Sequence, residues 1–255
     1  MEKTLAFFSP TSHFPLINIE RMNIKIMATL QMAIANIERV DMITEENVPR
    51  VFSFDTASDA SAEAQISAGT EKELRIKNQI LAQNVTEDIV KGFKVTFSDS
   101  AFAPEVFALI DGGSSTLADG GFVSYTAPTA GEVVERVGST LAVYAAEKDY
   151  DGHTLSYVAF VFPHAKGSPA SVSLKDGEFY SPSYTVKSRP SKGQSPLRVI
   201  ALPSLPVIVS SAADLPASPV SGKTCVLAAD SDIAGLSGID AGAYAIYNGA
   251  GYEAV

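Results

Sequence analysis

From residue 154 to residue 162 the chain sets Leu155, Tyr157, Ala159 and Val161 against Ser156, Val158, Phe160 and Phe162, so both faces of this extended segment are largely apolar. A strand of that kind is buried on both sides, or lies inside an assembly. Asp149-Tyr150-Asp151-Gly152 ahead of it is a tight-turn signal. Asp176-Gly177 beyond it predicts a second turn, between Val172/Leu174 and Phe179/Tyr180. Alternation elsewhere predicts a half-buried strand over residues 71–84, with Leu74 and Ile76 opposite Arg75 and Lys77. It predicts another over residues 89–97, with Ile89, Phe93, Val95 and Phe97 opposite Lys94 and Thr96. Shorter strands are expected at residues 51–54, 139–147 and 197–202, and around Phe122, Val123 and Tyr125 in an otherwise loop-like stretch.

Helical spacing is clear once, over residues 101–113. Pro104 suits a first turn, Glu105 complements the positive end of the helix dipole, Phe107 and Ile110 form a stripe with Ala103, and Gly112-Gly113 ends the helix. Residues 32–50 are mixed, a short helix or an irregular strand ended by Pro49. Residues 55–70 hold so few large apolar side chains that they read as a long loop or an arm ordered only against a partner. Pro203, Pro206, Pro216 and Pro219 mark a linker. Three parts follow: a leader over 1–31, a main β-rich domain over 32–202, and a small module over 207–255. The module has short strands near 224–227 and 243–247 and an Asn248-Gly249 hairpin signal. The leader is read as a disordered extension, or as lying upstream of a true start at Met27 or Met32. The module is too small to stand alone and leans on the main body.

Composition narrows the function. The 255 residues carry a formal net charge of −10, and a pI near 4.8 is a poor grip for phosphate. The single cysteine, Cys225, excludes an intrachain disulfide framework, and no apolar run is long enough to cross a membrane as a helix. His13, His153 and His164 are the only histidines, none with a second histidine at metal-ligand spacing. Asp149-Tyr150-Asp151-Gly152 begins like a calcium loop, but its glycine comes early and Phe160 stands where a bidentate glutamate is required. P-loop, dinucleotide-binding and nucleophile-elbow motifs are missing. A Ser–His–Asp triad through His153 or His164 is only an inventory. Lys187, Arg189, Lys192 and Arg198 are the densest basic group, a solvated face or a subunit contact. No catalytic, cofactor-binding or metal-binding residue is assigned, and the expectation is a β-rich, non-catalytic protein without a cofactor.

Four blocks carry a resemblance. LRIKNQILAQNVTEDIVKGFKVTFSD, FAPEVFALIDGG, AEKDYDGHTLSYVAFVFPHAKGSP and EFYSPSYTVKSRPSKGQSP, in this order and spacing, make residues 32–202 resemble the major tail tube proteins of long-tailed bacteriophages and prophages. ADLPASPVSGKTCVL and AGAYAIYNGAGYEAV resemble small β-modules appended to phage tail proteins. The resemblance implies a mainly β fold, a two-sheet β-sandwich or open barrel with one short flanking α-helix, plus the small C-terminal β-module. It implies homohexameric rings that stack into a tube, bind other phage tail proteins, and pass DNA through a lumen without specific binding. It places the protein in the virion tail, assembled in the bacterial host cytoplasm, with no membrane partner. On this reading residues 55–70 contact the next ring, part of the apolar surface of 147–190 lies between subunits, and the C-terminal module is a dispensable outward decoration. The alternative is a carbohydrate- or host-surface-binding β-module of a tail-tip or adhesin protein, although the chain has no tryptophan to line a glycan groove.

Overall fold

The structure, a computed structural model, describes residues 31–228, 236, 239 and 242–255. The expectations for residues 1–30 fall outside the described residues. Among the described residues the fold is mainly β with one α-helix, in several sheets and without a closed barrel. In chain order the elements are β1 (Ile34–Thr44), β2 (Val51–Phe54), β3 (Ala57–Ser67), β4 (Glu71–Ile76), β5 (Gln79–Val85), β6 (Ile89–Asp99), α1 (Pro104–Asp111), β7 (Ser114–Ala118) and β8 (Gly121–Thr126). There follow β9 (Gly138–Lys148), β10 (Thr154–Gly167), β11 (Ser183–Ser188), β12 (Arg198–Leu202), β13 (Val207–Val209), β14 (Thr224–Leu227), β15 (Tyr244–Tyr247) and β16 (Tyr252–Ala254). The large sheet runs β2-β1-β9-β10-β11-β6-β3, with β12 also on β10. The small sheet runs β13-β14-β15-β16, and β4-β5 and β7-β8 are separate hairpins.

β10 organises this arrangement. One of its edges pairs with β9 along its length, and the other is shared: Tyr157–Val161 pairs with β12, and Ala165–Gly167 with β11. Pro163 and His164 lie between the two partners. Proline has no N–H to give the ladder, His164 takes a left-handed φ of 49°, and the register on β9 slips between Phe162 and Ala165. A bulge of this kind bends the strand, and here it divides the sheet into two layers. Val40, Met42, Leu141, Val143 and Phe162 of β1, β9 and β10 meet Val95, Phe97, Tyr184 and Val186 of β6 and β11 in one sandwich core.

The helix plugs the open side of that core. Val106, Phe107, Leu109 and Ile110 are all buried in it, a wider band than the expected Phe107/Ile110 stripe. Its capping is as expected, with Pro104 in the first turn and Gly112 at the C-cap with φ 85°. The close fit has a local cause. A Cβ at Gly167 of β10 would lie 2.0 Å from the Ile110 carbonyl oxygen, so only glycine lets helix and strand approach this far.

The outer face of β9 and β10 is covered as well. Ile43, Ala142, Tyr144, Ala159, Val161, Ile200 and Leu202 form a second core with Val226, Ala228 and Tyr244 of the small sheet. Both apolar faces of residues 156–162 are therefore largely covered within one chain, whereas Leu155, Val172, Leu174 and Phe179 of the same stretch are exposed. A polar network fixes the seal. The Tyr144 and Tyr244 hydroxyls are 2.8 Å apart, the Arg39 guanidinium lies over the Tyr144 ring, and Asp41 accepts from Arg39 at 2.8 Å and from Ser53 at 2.5 Å. Arg39 also donates to the Pro206 carbonyl at 2.7 Å, at the entry to the small sheet.

Three other expectations change. Residues 55–70 are not a loop awaiting a partner: β3 pairs antiparallel with β6 from Ala57↔Asp99 to Ser67↔Ile89, with a slip in register near each end. Backbone pairing orders this strand despite its small side chains, of which Ala57 and Ala60 pack on the sandwich core. Residues 71–84 are two strands rather than one, turned at Lys77-Asn78, and they are exposed rather than half-buried. The Asp176-Gly177 turn forms, with Gly177 at φ 78°, but no strands flank it, because residues 168–182 are an exposed connection. The undecided residues 32–50 resolve as an irregular strand, β1, with bulges around Asn36.

Burial of the tyrosines has a measurable consequence. Burial first, with the neighbouring Tyr244 and Asp41 after it, holds the Tyr144 hydroxyl well above the ordinary phenol range, and burial likewise raises Tyr184 and Tyr244. Burial also pushes the Cys225 thiol up to about 11. Each group ionises more readily in the unfolded chain, so its contribution is complete below the unfolded pKa and is lost as pH rises through the folded value. The melting temperature is expected to hold level to about pH 9 and to fall steadily above about pH 10, the ordinary tyrosine value. Circular dichroism melts across that range measure it, and an unchanged melting temperature at pH 11 contradicts it.

Candidate assembly surfaces

β3 and β6 run on past the sheet. β11 covers β6 only from Phe93 to Ser98, whereas β3 pairs with it to Ile89 and the ribbon then continues through Gly69, Thr70 and Thr86 into β4 and β5. The Gly69 amide donates to Asp88 Oδ1 at 2.7 Å and the Thr86 amide to the Thr70 carbonyl at 2.9 Å, which joins the two halves of the ribbon. From Ile66 to Ile76 the projection reaches about 35 Å at roughly 3.3 Å per residue.

Nothing among the described residues covers this ribbon. Every residue of β4 and β5 is exposed, including Leu74, Ile76, Ile80, Leu81 and Val85, each more than half accessible. By register Leu74, Ile76 and Ala82 share one face with Lys72, Gln79 and Asn84, and Glu71, Glu73, Arg75, Ile80, Gln83 and Val85 share the other, the pairing slipping by one residue at Leu81. An isolated two-stranded ribbon is marginal in water, and this one exposes five large aliphatic side chains over its two faces. β3 adds a second such feature, since it is the terminal strand of the large sheet and leaves a long edge unpaired. Apart from Ile66, its exposed residues are small, polar or acidic, which protects the edge from indiscriminate pairing.

The residues considered for chemistry are dispersed. His153 follows the β9–β10 turn, where its ring lies 3.2 Å from Asp149 Oδ2 and its amide donates to Asp149 Oδ1 at 2.7 Å. Gly152, with φ 85°, completes that turn. Asp149, Asp151 and His153 bring ligand-type atoms within 4.8 Å of one another, an arrangement common at exposed acidic turns. His164 stands at the bend of β10, inside the strand rather than at its end, and its Nδ1 is 2.8 Å from Glu45 Oε2. No serine hydroxyl bonds either ring among the described residues. Cys225 is fully buried on β14.

Of the basic group, Lys187 and Arg189 come together at the end of β11, while Arg198 reaches the Val255 carbonyl instead. Arg136 and Lys166 join them around a shallow concavity, a grouping that separation in sequence concealed.

No protein-family model matches the chain, and no curated protein matches it. Two solved structures are similar in backbone. One is the anti-feeding prophage tube-terminating cap, at 13% identity and a TM-score of 0.37, over 72% of this chain and 100% of the other. The second is from the anti-feeding prophage baseplate, at 11% identity and a TM-score of 0.32, over 68% of this chain and 96% of the other. Scores of this size leave the role of the present chain to be argued from its own surfaces.

Proposed function

We propose that this chain is a structural tail tube subunit, assembled as stacked hexameric rings around a lumen for DNA. The observation that carries the reading is the β4–β5 ribbon, whose aliphatic side chains Leu74, Ile76, Ile80, Leu81 and Val85 are exposed on both of its faces, a surface that a second molecule would cover. A head-to-tail contact of this kind builds a closed ring or an open filament, depending on the rotation it imposes. The open β3 edge supplies a further pairing surface for a neighbouring sheet. The four sequence blocks that resemble tail tube proteins fall on structural units: β4 to β6, α1, β9 with β10, and β11. A net charge of −10 suits a conduit along which phosphates slide without adhering. The role calls for no catalysis and no cofactor; its partners are other copies and other tail proteins, and its place is the virion tail after assembly in the host cytoplasm.

Electron microscopy of the concentrated, purified protein tests it. Six-fold rings or tubes are the expected particles, and a dispersed monomer at high concentration by sedimentation would overturn the reading.

A further inference from the structure

On the outer face of the second layer, Lys166 of β10 is directly opposite Lys187 of β11, and Lys187 is directly opposite Lys94 of β6. Residues opposite one another on adjacent strands share a face, so three lysines stand in one row across three strands. Like charges so placed repel, and the arrangement costs stability in the isolated chain. The row continues to Glu63 of β3, but none of the three lysines has a carboxylate within 4 Å among the described residues. Arg189 and Arg136 line the same concavity, which has a volume of about 480 Å³. Its one carboxylate, Glu45, is engaged by His164. A protein of net charge −10 thus gathers unpaired cations at the Gly138 end of the β9–β10 pair.

The opposite end of the same pair is its complement. There the turn presents Asp149, a fully exposed Tyr150 and Asp151, separated from the lysine row by the length of β9, 11 residues or about 35 Å. We propose that these two ends meet between copies: the Asp149–Asp151 turn of one molecule docks on the Lys166–Lys187 row of the next, a heterologous contact that gives the assembly its direction. This contact rests on the assembly reading above, and it adds an electrostatic, salt-sensitive surface to the aliphatic one on the ribbon.

Lys187→Glu is the discriminating variant, because it sets a carboxylate between Lys166 and Lys94. The monomer is expected to melt no lower than the parent, while the protein concentration at half-assembly, measured by sedimentation in low salt, rises about ten-fold. Asp151→Lys is expected to do the same, and the two changes in one chain are expected to restore assembly by exchanging the signs. Assembly indifferent to both reversals, or a double variant no better than either single one, overturns this contact while leaving the tube reading intact. A parent protein that never assembles overturns both. Lys187 also serves as a control for a polyanion site. If a double-stranded DNA fragment binds the parent and Lys187→Glu weakens that binding without changing assembly, the row serves nucleic acid and the proposal fails.

Discussion

Replacing residues 71–85 with an Asn-Gly turn is expected to leave the subunit folded and to abolish its assembly. Thr70 and Thr86 already pair across the ribbon, so a two-residue turn closes the gap without moving β3 or β6. The ribbon adds little to the fold, since every residue of β4 and β5 is exposed and the shorter connection lowers the closure cost by about 2 kcal/mol. On the proposed assembly its value lies between molecules. Covering the exposed halves of Leu74, Ile76, Ile80, Leu81 and Val85 contributes about 1 kcal/mol each, half of the usual full-burial figure. Together these amount to about 5 kcal/mol where both faces of the ribbon are covered, or several thousand-fold in association. A urea titration should give a midpoint no lower than the parent's, and sedimentation should give monomer at concentrations where the parent forms particles. Particles of normal size would remove the ribbon from the interface.

Truncation after Leu205 is expected to have the opposite profile, with the subunit itself failing. The small sheet is the cover of the second core, so its removal exposes Ile43, Ala142, Tyr144, Ala159, Val161, Ile200 and Leu202 together. It also takes away the Pro206 carbonyl from Arg39 and the Tyr244 hydroxyl from Tyr144. A contiguous apolar face of this kind drives aggregation, and the truncated chain should partition into the insoluble fraction. Graded variants separate the causes. Tyr244→Phe leaves the Tyr144 hydroxyl buried and unpartnered, a loss of about 1–3 kcal/mol. Tyr244→Ala removes a large buried aromatic, a loss of about 3–5 kcal/mol on the scale of other aromatic truncations. Denaturant midpoints report both. A soluble truncated chain with the parent midpoint would restore the view of residues 207–255 as a dispensable decoration.

The strands that alternate large apolar residues were legible from sequence, because each face announces its own burial. Residues 89–97, 139–147 and 197–202 all form strands close to the expected places, and the helix was readable from Pro104 and Gly112. β3 was not, because its order comes from backbone pairing with β6 and its side chains report only that they are small. The β4–β5 ribbon was misjudged for the opposite reason. Its alternation is real, but alternation tells which residues share a face and not whether that face is covered within the chain. The two-sided burial of β10 was legible, whereas the cover over one face lies some 85 residues further on, with Tyr144 and Tyr244 separated by 100 positions. The lysine row was invisible for a similar reason, since Lys94, Lys166 and Lys187 become neighbours only through strand register.

The late position of that cover also orders events during synthesis. β9 and β10 leave the ribosome well before Tyr244, and the Arg39 contact at Pro206 closes across 167 positions. Until then the outer face of the main sheet stands open, in a chain whose pairing of β1 with β9 is already non-local and slow to form. A nascent or prematurely terminated chain therefore exposes hydrophobic surface that chaperones and proteases recognise. Only a chain translated to its last strands hides that surface, so the fold itself marks incomplete copies for removal.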